Sequence, residues 1–233
     1  MSRQAIIDTL KAGVPSLSVG ILSADLDALD SEITLLEVGG VPLLHLDVMD
    51  GKVWPKKTVG PEFLAGIETK MLKDVHLLVD TPEAYLEGFA QTGADIIAFS
   101  IEYCADIGAA LKKIGQFENA NDPSKGILRG VSLNPDTPVS QIEEFIDDVD
   151  IVVLLTIGPE TGKQNFIAEL PDRIAAVKAL KEDILIFIDG AIKKDNIAHV
   201  ASLGPDVIVT GSAVFDGVDA KGNLAYMKEA IHG

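Results

Sequence analysis

The chain has 233 residues, with 19 Lys and Arg against 36 Asp and Glu, and its net charge is −17. This acidic balance excludes a nucleic-acid partner, because a polyanion binds to a basic face that the sequence does not supply. Hydrophobic residues at 47% exclude disorder, and the absence of a bilayer-length apolar run or a secretory signal pattern predicts a cytoplasmic protein without a membrane partner.

Eight short apolar segments recur along the chain, and several are rich in Val and Ile. They are continuous rather than alternating, which is typical of parallel strands that are buried on both faces. The segments are residues 16–22, 42–48, 74–79, 95–101, 128–133, 151–157, 184–188 and 206–210.

Segments with helical spacing lie between these predicted strands. They are residues 26–38, 61–71, 81–92, 106–114, 139–146, 170–181 and 195–203. Three of them are followed by glycine, at Gly39-Gly40, Gly93 and Gly204, where a helix C-cap is expected before the next strand. The polar residues 116–125 predict a surface loop.

The alternation of strands and helices predicts an α/β fold, a (β/α)8 TIM barrel that forms a single domain over residues 1–233. An open doubly wound sheet is the alternative. That fold would carry a glycine-rich turn after its first strand, whereas this chain has Leu22-Ser23-Ala24-Asp25 there. The barrel is therefore favoured.

Ionisable residues collect at the predicted C-terminal ends of strands, where barrel enzymes carry their active sites. The period of two places His45, Asp47 and Met49 on one face of the second strand. His76 lies on the third strand and Asp189 ends the seventh. We expect the two histidines and two aspartates to meet at one mouth of the barrel.

This set predicts one divalent metal ion. Taken singly, each histidine could be a hydrogen-bonded core residue and each aspartate a strand-end cap. Two neighbouring buried carboxylates, however, cost several kcal/mol unless a cation or a shared proton relieves them. The single cysteine, Cys104, excludes a Cys-rich zinc site. Two His and two Asp suit divalent Zn, Mn, Fe or Co.

The turn after the eighth strand, with Gly211 and Ser212, can present backbone N–H groups to an anion. Together with the loops after strands six and seven it predicts a phosphate site. Because the net charge opposes an anion, local donors must hold it. Lysines in loops on this face are candidates, and an ordinary solvated side chain is the alternative for each: Lys52, Lys56, Lys57, Lys163 and Lys193.

Six segments resemble the ribulose-phosphate 3-epimerase family: residues 21–25, 45–51, 74–77, 134–138, 188–190 and 211–215. The resemblance implies a barrel of the ribulose-phosphate-binding type and a homo-oligomer, either a dimer or a hexamer. It implies a phosphorylated ketose as substrate, D-ribulose 5-phosphate or a relative, and a role in carbohydrate metabolism through the pentose phosphates. It also implies residue roles: metal ligands His45, Asp47, His76 and Asp189; acid/base residues Asp47 and Asp189; and substrate contacts at Ser23, Met49, His76, Gly162, Lys163, Gly190, Ala191, Gly211 and Ser212.

The residue types suit epimerisation independently of the resemblance. A proton next to a ketone must be removed from one face and returned on the other, which requires two bases on opposite sides of a planar enediolate. A metal ion would stabilise the charge that develops on the oxygens.

The chain departs from the family in its substrate loops. Residues 158–164 are Gly-Pro-Glu-Thr-Gly-Lys-Gln where the family has Asn-Pro-Gly-Phe-Gly-Gly-Gln, so Glu160 and Lys163 replace glycines. Ala191 replaces a glycine and would be strained at positive φ. The further replacements are Leu78 and Leu155 for methionine and Ser100 for histidine.

Two alternatives keep the barrel. One is another sugar-phosphate isomerase or lyase, such as an aldolase or decarboxylase, for which a Schiff-base lysine on a strand or an Asp-x-Lys-x-x-Asp string would be expected; the predicted strands contain neither. The other is a non-catalytic relative that binds a sugar phosphate, for which a lost metal ligand would be the sign.

Overall fold

The computed structural model describes residues 3–160 and 166–233. Within these residues eight parallel strands pair in chain order and close into a barrel, as the sequence predicts. The strands are Ser16–Gly20 (β1), Leu43–Met49 (β2), Leu72–Leu78 (β3), Ile96–Ser100 (β4), Leu128–Leu133 (β5), Ile151–Leu155 (β6), Leu185–Asp189 (β7) and Val207–Thr210 (β8).

The described helices lie between and around the strands. The α-helices are Gln4–Lys11 (α1), Leu29–Val38 (α2), Pro61–Ala65 (α3), Leu86–Gln91 (α4), Ile107–Gln116 (α5), Leu170–Leu180 (α6), Ile197–Ser202 (α7) and Ala220–Ala230 (α8). Short 3₁₀ helices are Ile21–Ser23, Leu26–Ala28, Pro82–Ala84, Ile101–Tyr103 and Ile167–Glu169, and a longer one is Val139–Asp148. Among the described residues no helix is both long and apolar enough to cross a bilayer.

The core has two parts, and their arrangement positions the site. Most apolar side chains lie between the barrel and the helices. A smaller cluster fills the N-terminal half of the barrel, where Leu43, Phe187 and their neighbours pack against Ile6 and Leu10 of α1. Helix α1 therefore closes the N-terminal end of the barrel, and inward-facing polar residues lie towards the opposite end.

Two helix predictions differ from the structure, and two helices were not predicted. The predicted helix 61–71 ends at Ala65, because the carboxylate of Glu37 accepts hydrogen bonds from Thr69 Oγ1 and Lys70 N and holds the segment in a non-helical path. Residues 139–148 are 3₁₀ rather than α. Helices α1 and α8 were absent from the prediction.

The glycines predicted to end helices do so with positive φ: Gly40 at 68°, Gly93 at 90° and Gly204 at 75°. The predicted surface loop 116–125 is wrong at one position, because Asn119 is buried. Its Nδ2 donates to Asp95 Oδ1 over 2.7 Å, which anchors the loop to the barrel.

Candidate metal and substrate site

Strand register brings the predicted metal ligands together. Residues of β2 and β3 pair with Asp47 opposite His76, so two residues from neighbouring strands point into the barrel mouth at the same level. Asp189 ends β7, which is separated from β2 by β8 and β1. One ligand atom from each of His45, Asp47, His76 and Asp189 lies within 4.8 Å of the others. The four predicted residues thus form one cluster.

The distances inside the cluster are short. His76 Nδ1 lies 3.3 Å from Asp47 Oδ1 and 3.2 Å from Asp189 Oδ2. His45 Nε2 lies 3.1 Å from Asp47 Oδ1 and 3.9 Å from Asp189 Oδ2. Side-chain exposure is 2% for His45 and 0% for His76, but 34% for Asp47 and 13% for Asp189, so the carboxylates form the open side of the cluster.

The charges of the cluster call for a cation. Burial opposes protonation of His76, yet its contacts with Asp189 and Asp47 prevail and raise its pKa to about 9. Burial likewise opposes the charge on His45, but Asp74 and Asp47 raise the pKa of His45 well above its usual value. The pKa of Asp47 is lowered, because the histidines outweigh the effect of burial. The carboxylates therefore favour positive charge at the histidines, which a bound cation would also supply.

The donor set fits a divalent ion. Both ring nitrogens of His76 are buried and form no well-aligned hydrogen bond among the described residues, although Nδ1 faces two carboxylates. Two imidazole nitrogens and two carboxylate oxygens are ligands that Zn, Mn, Fe and Co accept. The cluster could therefore hold a metal ion, with the exposed side of Asp47 facing the space where a substrate would enter.

A buried hydrogen-bond chain orients His45. His45 Nδ1 lies 2.8 Å from Asp74 Oδ2, and the same oxygen accepts a hydrogen bond of 2.8 Å from Ser18 Oγ. All three side chains are buried. The carboxylate directs the Nδ1 proton away from the cluster and leaves Nε2 as a ligand. Sequence reasoning missed Asp74 and Ser18, although Asp74 precedes His76 by two residues and so shares its inward face.

A cavity of about 190 Å³ opens beside the cluster. Of the predicted substrate contacts, six line it: Ser23, Met49, Gly190, Ala191, Gly211 and Ser212. His76 lies behind Asp47 and Asp189 rather than in the cavity wall. Gly162 and Lys163 lie outside the described residues. Lining residues that the sequence reasoning did not assign to the site include Leu22, Trp54, Ile157, Ile192 and Thr210.

Of the lysines considered from the sequence, Lys193 lines the cavity, while Lys52, Lys56 and Lys57 do not. Lys52 instead pairs with Asp80 over 3.2 Å on the exposed surface.

Leu78 and Leu155 line the apolar part of the cavity. Ser100 is buried, with its Oγ 3.2 Å from Ser132 Oγ, so this small polar pair occupies the fourth and fifth strands at the level of the site.

The loop after β7 has the backbone that its sequence suggested. Gly190 has φ 106° and Ala191 has φ 50°, so the strain expected at Ala191 is confirmed. A Cβ at position 190 would lie 2.8 Å from Ile157 Cγ1, which explains a glycine there. Asn196 Nδ2 donates to the Ala191 carbonyl over 3.1 Å and stabilises the strained turn.

Glu102 fixes the segment 134–138 at the rim of the barrel. Glu102 Oε1 accepts from Asn134 N over 2.7 Å and from Thr137 Oγ1, so the Asn-Pro-Asp-Thr-Pro segment is held against the end of β4. Glu160 is exposed. Strand β3 begins two residues before the predicted strand and so includes Lys73. Its Nζ donates to Leu64 O over 3.3 Å, outside the barrel, and it is therefore not placed to form a Schiff base at the mouth.

Comparisons with known proteins agree with this architecture. A model of the "Ribulose-phosphate 3 epimerase family" matches residues 16–215. Ribulose-phosphate 3-epimerase of Bacillus subtilis is 38% identical over 208 residues, covering 86% of this chain and 92% of the relative. Ribulose-phosphate 3-epimerase 1 of Cupriavidus necator is 35% identical over 219 residues, covering 90% and 88%.

Among solved structures, the tryptophan synthase alpha subunit of Legionella pneumophila superposes with a TM-score of 0.63 at 14% identity, covering 100% of this chain and 99% of that one. At such low identity the likeness concerns the fold alone.

Proposed function

The chain belongs to the ribulose-phosphate 3-epimerase family, and from this premise we propose that it inverts C3 of a phosphorylated ketose. D-Ribulose 5-phosphate, converted to D-xylulose 5-phosphate, is the first candidate substrate, and a related ketose phosphate is the second. The reaction makes the protein an isomerase that acts on carbohydrates.

One observation carries the proposal: Asp47 of β2 and Asp189 of β7 come from strands separated by β1 and β8 and converge on the same two histidines at the cavity. Both carboxylates line the cavity and are partly exposed to it. Inversion at a carbon atom requires one carboxylate on each side of the bound ketose. The proton is removed from one face in the forward direction and from the opposite face in the reverse direction.

In the proposed mechanism one aspartate removes the C3 proton of the bound ketose and leaves a planar enediolate. The other aspartate, protonated at that stage, returns a proton to the opposite face of C3. In the reverse direction the two residues exchange roles. Met49, Leu78 and Leu155 form an apolar wall that excludes water from the reacting carbon.

His45, Asp47, His76 and Asp189 would hold the metal ion. A bound divalent cation would stabilise the negative charge that develops on the substrate oxygens, a contribution of several kcal/mol. Zn, Mn, Fe and Co all suit two nitrogen and two oxygen ligands, and we propose one such ion per chain. Asp74 and Ser18 hold His45 with Nε2 towards the ion.

We assign the phosphate of the substrate to the end of the cavity formed by Gly190, Ala191, Gly211 and Ser212, and the sugar to the side of Ser23 and Met49. Other expectations stay predictions: a role for Gly162 and Lys163, a single domain over residues 1–233, a cytoplasmic location, and a dimer or hexamer, which light scattering would test.

Proton exchange in D2O tests the function. The metal-loaded protein is incubated with D-ribulose 5-phosphate, D-xylulose 5-phosphate and a hexulose 6-phosphate, and NMR follows the signal of the C3 proton. We expect interconversion of the two pentulose phosphates with deuterium incorporated at C3. A protein that holds its metal but exchanges no C3 proton in any of these compounds would contradict the proposal.

The alternative reactions are not favoured. Three structural neighbours with other activities, a thiamine phosphate pyrophosphorylase, an orotidine 5'-phosphate decarboxylase and a 3-hexulose-6-phosphate synthase, share 15% to 18% identity with this chain, and their likeness therefore concerns the fold alone. The sign expected of such an enzyme, a lysine on a strand facing the cavity, is absent from the described residues; Lys193, which lines the cavity, lies on a loop. All four candidate ligands are present, contrary to what a non-catalytic relative would show.

A further inference from the structure

Lys193 lines the cavity that opens beside the metal cluster. It belongs to the loop after β7, is exposed, and among the described residues is the only Lys or Arg that lines the cavity. Its Nζ donates a hydrogen bond to Ser212 Oγ in the turn after β8. A lysine and a serine from two neighbouring loops therefore meet at one edge of the cavity.

The loop that carries Lys193 is fixed by its own hydrogen bonds. Lys193 N donates to Asn196 Oδ1 over 2.8 Å, and Asn196 Nδ2 donates to the carbonyl of Ala191. These two bonds close the turn around the left-handed Ala191. The main chain at Lys193 is thus held in place, and only the side chain has to adjust to a ligand.

Unused main-chain donors lie in the same two loops as Lys193 and Ser212. The main-chain N–H groups of Ala191, Ile192, Ser212 and Ala213 form no hydrogen bond within the described part of the chain. Three of these four residues line the cavity together with Lys193. Free N–H groups beside a cation and a hydroxyl form an environment suited to a multiply charged oxyanion.

The charge of the rest of the protein makes a local cation important. The chain carries a net charge of −17, and the wall of the cavity also holds the carboxylates of Asp47 and Asp189. A phosphate dianion approaching this cavity is repelled at long range, and backbone N–H groups supply partial charges only. Lys193 supplies a full positive charge in the wall of the cavity.

We propose that Lys193 is the residue by which this protein selects phosphorylated over unphosphorylated ketoses, with its ammonium group moving from Ser212 Oγ to the substrate phosphate. The inference rests on the proposed function. The lysine orients the substrate, since it draws the phosphate to the β7–β8 edge and directs the ketone towards His45, Asp47 and Asp189. It binds the phosphate and takes no part in proton transfer.

The test compares Lys193→Ala, Lys193→Arg and Lys194→Ala. Lys194 is the matched control, because it is adjacent and carries the same charge, but its Nζ bonds to Asn223 Oδ1, away from the cavity. We expect Lys193→Ala to raise KM for D-ribulose 5-phosphate about 10-fold or more, with a smaller change in kcat, as for loss of one charge-assisted contact. Lys193→Arg should recover part of this loss, and Lys194→Ala should match the wild type.

Two further measurements separate recognition from a structural role. Turnover of D-ribulose without its phosphate should change less than twofold in Lys193→Ala, so that the preference for the phosphorylated ketose falls. Binding of inorganic phosphate, measured by calorimetry, should weaken in Lys193→Ala by about the same factor as KM rises. An equal loss with D-ribulose would overturn the inference, because the variant would then have damaged the whole site.

The failure of the inference differs from the failure of the proposed function. If the wild type epimerises D-ribulose 5-phosphate while Lys193→Ala keeps the KM and the phosphate affinity of the wild type, the inference is wrong and the function stands. If the wild type converts no ketose phosphate, the function is wrong. Phosphate calorimetry still decides the role of Lys193. Equal phosphate affinity of the wild type and Lys193→Ala, or no phosphate binding by the wild type, would refute that role.

Discussion

Asp74→Asn tests how the metal cluster is oriented. The substitution keeps the size and burial of the side chain but removes the carboxylate charge that faces His45 Nδ1 at 2.8 Å. The amide of asparagine also offers an NH₂ group to His45 in one of its two orientations, which would favour the wrong tautomer of the imidazole.

The expected effect is a loss of metal affinity of about 10- to 100-fold, which corresponds to about 1.4 to 2.7 kcal/mol and is typical of a lost outer partner of a ligating histidine. Ser18→Ala removes only the neutral hydrogen bond to Asp74 Oδ2, and we expect a smaller loss of about fivefold. The two variants should therefore rank in this order.

Metal affinity is measured by competition with a chromogenic chelator, and circular dichroism checks that each variant is folded. The double variant serves as a further control, because Ser18 acts through Asp74 and its removal should add little once Asp74 is replaced. If folded Asp74→Asn binds the metal as tightly as the wild type, the carboxylate does not orient His45 and the reasoning is refuted.

Three further predictions concern catalysis, pH and stability. Asp189→Asn should lower the rate of epimerisation by about 10²- to 10⁴-fold while Asp47 still exchanges the C3 proton of one epimer. The metal content is measured in the same sample and must be retained. Near-normal turnover would remove Asp189 from the mechanism. The pKa of His76 is raised to about 9, and a metal binds the neutral imidazole, so a proton competes with the ion below that pH. Chelator titrations should therefore show the metal affinity falling by about 10-fold or more per pH unit between about pH 8 and 6. A metal affinity independent of pH would contradict this. Arg129→Ala should lower the free energy of unfolding, measured by urea denaturation, by about 2 to 3 kcal/mol, because Arg129 is mostly buried and bonds to both carboxylate oxygens of Asp150. An unchanged denaturation midpoint would show that the pair contributes nothing to stability.

The barrel could be predicted from the sequence because burial on both faces leaves a local signature. Most residues of the eight strands are apolar, and the burial of the strands is nearly complete in the structure. The glycines after three helices could be identified for a similar reason, since a left-handed residue is required at Gly40, Gly93 and Gly204 whatever the helix packs against. These features depend on a few neighbouring residues.

The helices were less predictable because their limits depend on distant partners. Helix α3 ends early where Glu37 takes the hydrogen bonds of the next segment. Helix α1 is stabilised by Ile6 and Leu10 against the barrel interior, and neither contact is visible in its short sequence. Isolated helices of this length are unstable in water, so packing decides whether they form.

The candidate site likewise combines residues that could be chosen from the sequence with contacts that only the tertiary structure decided. The alternation along β2 and the ends of β3 and β7 determined by themselves which polar side chains face the mouth, so His45, Asp47, His76 and Asp189 could be chosen from sequence. Which atoms then meet was decided by the closure of the barrel. The bond from Ser18 to Asp74 joins residues that are 56 positions apart, and Lys193 meets Ser212 across two loops. Such contacts carry no periodic signal, because they depend on strand register and side-chain rotamers that only the packed tertiary structure selects.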